Sequence, residues 1–136
     1  MTVIDTSAFM KFLLHEHGWQ DVHPYLTTAS SPTSVDLLVT ESANVLWKSV
    51  RAGLIEKDKV HELYSSMELL FTKGPLTLKP APQFMAEALS IALSLDTPVN
   101  DALFIAQARL DHATLVTADR HQAHCAKKCG VTAILV

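Results

Sequence analysis

Apolar positions along this chain follow two rhythms, and their alternation predicts an α/β fold. Short unbroken runs read as buried strands: Thr2 to Ile4, Leu76 to Leu78, Thr114 to Thr117 and Val131 to Val136. Between them, apolar residues recur at helical spacing. Phe9, Phe12 and Leu13 mark a helix that begins near Ala8, with Thr6 or Ser7 as its cap. After the breaker Gly18, Trp19 to Leu26 reads as a short second helix, and the small, β-branched stretch Thr27 to Thr33 as a faint second strand. The clearest helix is Val35 to Arg51, striped by Leu38, Val39, Val45, Leu46 and Val50 and stopped by Gly53. Further helices are expected from Glu56 to Phe71 and from Phe84 to Leu95, the latter with Pro82 at its start. Thr97-Pro98 pairs a capping hydroxyl with proline at a first helical position, opening a helix to Leu110. The last helix is His121 to Lys128. Strands alternating with helices imply right-handed crossovers, a mostly parallel central sheet and helices on both faces: a three-layer α/β/α sandwich.

Length adds that residues 1–136 form one domain, large enough for a substantial core. Apolar residues make up 49% and charged residues only 18%, which favours a compact chain or one with an apolar face for a partner. No apolar run approaches the ~18 residues of a membrane span. Asp5 and Lys11 interrupt Thr2 to Leu14, so that segment is not expected to be a signal-peptide core, and a cytoplasmic location is expected. The net charge of −3 argues against a strongly basic, non-specific nucleic-acid binder.

Four acids change the picture. Asp5 and Asp119 each follow a predicted strand, at the carboxyl edge where α/β proteins place their sites. Glu41 lies early in its helix within an otherwise uncharged stretch from Leu37 to Trp47, and Asp101 lies in the first turn of another. Four carboxylates brought to one rim repel one another unless a divalent cation holds them. Taken singly, Asp5 and Asp119 have a simpler reading as helix caps, and Asp101 as a residue placed for the helix dipole. With the four set aside, eleven basic residues face ten acidic ones, so overall charge neither supports nor excludes RNA.

The order and local context of these acids resemble the PIN domain family of metal-dependent nucleases. Val3-Ile4-Asp5-Thr6-Ser7 looks like its opening strand, first acid and following hydroxyl. Leu38 to Leu46, around Glu41, is similar to its second acidic helix. Asn100-Asp101-Ala102-Leu103-Phe104-Ile105-Ala106 is similar to the third motif, and Leu115-Val116-Thr117-Ala118-Asp119 to the fourth. Asn100 stands where an aromatic residue is frequent in that family. Among PIN proteins the chain most resembles the VapC-type toxins of type II toxin–antitoxin pairs. The resemblance implies cleavage of single-stranded RNA with Mg²⁺ or Mn²⁺. Asp5 and Asp101 would be the principal ligands, with Glu41 and Asp119 completing a second site or orienting the attacking water. Ser7 and Thr117 would hydrogen-bond ligands or a phosphate oxygen. It also implies a cognate antitoxin, expected on the apolar helices Ala8 to Leu14 and Glu56 to Phe71, and a homodimer.

Two rival functions are a PIN-like binding or scaffold module without catalysis, and a phosphatase-like α/β domain with Asp5 as nucleophile. Phosphatases of the haloacid dehalogenase type carry Asp-x-Asp there, whereas position 7 is Ser. His121, Cys125 and Cys129 share a helix face and suggest zinc, but His121 and Cys129 are about 12 Å apart along a straight helix axis. Both thiols are expected to be reduced. Lys11 and Arg120 are the cations nearest the expected mouth, and Trp19, Trp47, Tyr25 and Tyr64 are expected to pack in the core or an interface.

Overall fold

The computed structural model describes residues Met1 to Val136. Five strands, β1 (Thr2–Ile4), β2 (Pro32–Val35), β3 (Thr77–Lys79), β4 (Thr114–Thr117) and β5 (Ala133–Leu135), form one wholly parallel sheet in the order β3-β2-β1-β4-β5. Six helices complete it: α1 (Thr6–Leu13), α2 (Leu37–Arg51), α3 (Lys57–Thr72), α4 (Met85–Leu95), α5 (Val99–Leu110) and α6 (Arg120–Lys128). The chain steps outward from β1 to β3, then returns across β1 to β4. Right-handed crossovers in opposite directions place α1–α3 on one face and α4–α6 on the other. The helix contacts follow that split, α1 touching α2 and α3, and α5 touching α4 and α6. The expected three-layer sandwich is therefore the observed fold.

Central strands are buried on both sides, and Val3, Ile4, Leu115 and Val116 have no exposed surface. Edge strands β3 and β5 are partly exposed, as their position requires. Because β2 and β4 leave β1 in opposite directions of chain travel, the crevice between β1 and β4 is the switch point of the sheet. Register pairs Ile4 with Val116, so Asp5 and Asp119 emerge side by side at the carboxyl edge.

Several expectations need correction. Thr27 to Thr33 is strand only at its end: Thr28–Ser30 is a single 3₁₀ turn, Ser31 is left-handed at φ 46°, and β2 runs Pro32–Val35. Hydroxyls explain the difference, because Ser30 donates to the carbonyls of Tyr25 and Thr27 and so satisfies turns instead of a ladder. Val35 ends that strand and does not begin α2. Trp19 to Leu26 is two 3₁₀ turns, not one helix, with Pro24 opening the second. Thr97 does not cap α5: Pro98 holds the cap position, and the buried Thr97 hydroxyl has no hydrogen-bond partner. The helix after β1 starts at Thr6, and its cap is Asp5. Trp47, expected in the core or an interface, is not in the core. It is 54% exposed, with the Arg51 guanidinium 4.9 Å over its ring.

Candidate active site

The cap of α1 is the first element of the site. Asp5 Oδ1 accepts from the Ala8 backbone N–H at 2.9 Å and from the Ser7 hydroxyl at 2.7 Å. Asp119 does the same for α6, its Oδ1 accepting from the Gln122 N–H at 3.0 Å. The simple reading of both acids as caps therefore holds, and it is compatible with a second role. Each cap bonds Oδ1 of its carboxylate, which leaves Oδ2 of each outside the cap. Capping also fixes the rotamer, which points a preset oxygen from each strand end.

A chain of hydroxyls links the two caps. The Asp119 N–H donates to Thr117 Oγ1 at 3.0 Å, and Thr117 Oγ1 lies 3.1 Å from Ser7 Oγ. Ser7 also accepts from the Ala118 N–H. With Asp5 ionised, the Ser7 proton goes to the carboxylate, and the Thr117 proton goes either to Ser7 or to Asp5 itself, whose pKa Thr117 lowers as a hydrogen-bond donor. All protons in the chain then point toward Asp5. Burial raises the Asp5 pKa from the ordinary 3.8 to about 6, against the lowering effect of Thr117, Ala8 and Ser7, and Asp119 adds a further upward push by repulsion.

Glu41 comes from the first turns of α2 and is held by the Thr6 hydroxyl, which donates to Oε1 at 2.6 Å. Burial raises its pKa, Thr6 opposes the rise, and the charge of Asp101 adds to it. Asp101, at the third position of α5, is likewise raised by burial and by Asp119, with His121 pulling the other way. These mutual repulsions indicate four carboxylates close enough to feel one another.

All four line a single cavity of about 580 Å³, together with Thr6, Ser7 and Gln122. Arg120 is its only Lys or Arg, and Glu16 adds a fifth acid at the exposed rim. Of the residues expected at the site or its mouth, Thr117 and Lys11 do not line the cavity; Thr117 is fully buried behind Ser7. The carboxylates surround shared space but are not contracted into a cage: no three His, Cys, Asp or Glu side chains converge as ready ligands anywhere in the chain. Hard oxygen donors around an open cavity fit Mg²⁺ or Mn²⁺, which keep several waters, better than they fit a fully protein-ligated ion.

Thr6 and Gln122 were missed by sequence reasoning. Thr6 was read as a cap, which hid its contact with Glu41 across 35 residues. Gln122 carries no sequence signal beyond its place three residues after Asp119. The two thiols are free, with Cys125 Sγ 3.5 Å from His121 Nε2.

The PIN domain family model matches residues 2–128. Ribonuclease VapC3 of Pyrobaculum aerophilum is 27% identical over 121 residues, spanning 89% of this chain and 91% of that protein. Among solved structures, PAE2754 from Pyrobaculum aerophilum superposes with a TM-score of 0.70 at 21% identity, covering 97% of this chain and 87% of the other. VapBC2 from Rickettsia felis, bound to a DNA fragment from its promoter, gives 0.66 at 13% identity over 98% and 97% of the two chains. At these identities the structural matches speak for the fold.

Proposed function

This chain belongs to the PIN domain family, and from that premise we propose that it is a metal-dependent endoribonuclease that cleaves single-stranded RNA, the toxin of a type II toxin–antitoxin pair. The observation that carries the reading is the convergence of Asp5, Glu41, Asp101 and Asp119, from four separate elements, on one cavity at the switch point of the sheet. The similarity to a protein named ribonuclease VapC3 supports the choice of RNA as substrate.

Asp5 and Asp101 are assigned as the principal ligands of Mg²⁺ or Mn²⁺, with Glu41 and Asp119 completing the set or orienting the attacking water. A divalent cation bound there would supply hydroxide at neutral pH and shield charge on the phosphate. The chain's own residues do the rest. Capping bonds hold one oxygen of Asp5 and one of Asp119 still, leaving the other outside the cap. Thr6 keeps Glu41 extended into the cavity. Ser7 and Thr117 hold the proton order that favours an ionised Asp5. Arg120, the only cation in the cavity lining and without an ion-pair partner, is placed to meet a backbone phosphate.

For the antitoxin, the surface proposed is the groove between α1 and α3, a 340 Å³ depression with Leu13, Leu14, Ile55 and Leu63 in its wall. A homodimer is proposed through the exposed apolar residues of α4 and α5: Leu89, Leu93, which is 79% exposed, and Leu110.

A non-catalytic PIN-like module would share the open, uncontracted carboxylate arrangement, and cleavage separates the two readings. Single-stranded RNA should be cut with Mg²⁺ or Mn²⁺ and spared in EDTA, and Asp5→Asn should lower the rate at least about 150-fold, about 3 kcal/mol or more of barrier. Activity that survives both EDTA and Asp5→Asn would leave the nuclease reading without support. No single helix is long and apolar enough to cross a membrane.

A further inference from the structure

Asp119 and Gln122 stand in the spacing of a capping box, in which the third-position glutamine reaches back to the cap residue's own N–H. Here that N–H is already taken by Thr117 Oγ1 at 3.0 Å. The glutamine is released from the box and turns toward α5, where Nε2 donates to the Asp101 carbonyl oxygen at 2.8 Å. Its backbone N–H meanwhile donates to Asp119 Oδ1. One residue therefore grips two of the four acids, Asp119 through its main chain and Asp101 through its side chain.

Gln122 is only 4% exposed, lines the carboxylate cavity, and leaves Oε1 buried without a partner. A buried amide oxygen with no hydrogen bond costs free energy unless something donates to it. Oε1 has no accessible surface, so the side chain's one bond is that of its amide nitrogen to α5, and this bond holds it in the cavity wall.

We propose that Gln122 is a positioning residue of the carboxylate site, tying the first turn of α5 to that of α6. This rests on the nuclease reading above, and it concerns a residue outside the four acids. Gln122 fixes how far Asp101 stands from Asp119, a contact from outside the four acids that holds two of them in place. Loss of such an outer contact typically weakens metal binding or activity 10–100-fold.

The wild-type chain and Gln122→Met are compared by Mn²⁺ titration calorimetry at pH 7.5, by melting in EDTA, and by single-turnover RNA cleavage. Methionine conserves volume and removes both amide functions. The expected result is Mn²⁺ affinity about 10–100-fold weaker in Gln122→Met, with its EDTA melting temperature unchanged or higher because an unpaired buried oxygen is gone. Mn²⁺ affinity within twofold of wild type in Gln122→Met overturns the proposal. So does a loss of affinity matched by an equal loss of EDTA stability, since that is a structural role. If wild type itself binds no Mn²⁺, the nuclease reading fails first, and the role of Gln122 falls with it.

Discussion

Replacing Asp5 with asparagine is expected to abolish cleavage and yet stabilise the metal-free fold. Asp5 is 4% exposed, and its pKa stands near 6 instead of 3.8. Between those values the folded chain holds a proton that the unfolded chain has lost, so stability falls as pH rises across that window. Below about 3.8 both states are protonated and there is no penalty; above about 6 the full cost of burying the charge is present. The difference corresponds to at most about 3 kcal/mol, at about 1.4 kcal/mol per pH unit. Asparagine keeps an oxygen for the Ala8 N–H and the Ser7 hydroxyl, so the cap survives. It loses the favourable charge at a helix N-terminus, about 0.5 kcal/mol. A net gain of roughly 1–2.5 kcal/mol at pH 7.5 remains, and at about 2.1 cal/mol/K per residue that raises Tm by about 3–9 °C. The assay is thermal melting of wild type and Asp5→Asn in EDTA from pH 4 to 8. The Tm gap should open between pH 4 and 6 and then stay level, and saturating Mg²⁺ should shrink or reverse it by stabilising wild type alone. A variant that melts below wild type at pH 7.5, or a gap independent of pH, would refute the reasoning.

Other expectations follow from the same geometry. Thr6→Val removes a 2.6 Å bond to Glu41 and should lower kcat/KM about tenfold or more, a charge-assisted bond being worth ~1.5–3 kcal/mol, while Tm in EDTA moves little; steady-state kinetics and melting check both. Arg120→Ala should raise KM for RNA, reduce the slope of log affinity against log salt by about 0.7, and leave Mn²⁺ affinity no weaker, as read by binding titrations at several salt concentrations. Gln107 is fully buried with Oε1 unpaired and Nε2 on Thr33 Oγ1, so Gln107→Met should change stability by less than about 1.5 kcal/mol in urea melts despite its central position. Leu93→Glu places a charge on the apolar face of α4 and should convert a dimer to monomer in sedimentation without loss of fold.

The parts of the fold legible in the sequence were those set by local pattern. Thr2–Ile4 and Thr114–Thr117 are short apolar runs, each ending before an acid, and strand burial makes such runs plain. The helix carrying Glu41 was readable from its stripe. Thr27 to Thr33 was misread because β-branched residues favour a strand, whereas their hydroxyl neighbours stabilise turns, and only the three-dimensional context decides between them. Glu41 and Asp101 could be placed near the carboxyl edge from their position early in helices, but the bonds that set their geometry were hidden. Thr6 to Glu41 and Gln122 to Asp101 are contacts between elements, and nothing in the spacing of those residues encodes them. Asp5 and Asp119 show the converse case: the cap reading and the site reading each described one oxygen of the same carboxylate.

The central claim is that Asp5, Glu41, Asp101 and Asp119 serve one cation. Its most direct test is Mn²⁺ titration calorimetry on the wild type and on the four single Asn or Gln variants, all confirmed as folded. The account predicts saturable binding by wild type, weakened at least about tenfold in Asp5→Asn and Asp101→Asn and measurably in the other two. No saturable binding by wild type, or affinity unchanged when Asp5 and Asp101 are replaced in turn, would contradict it.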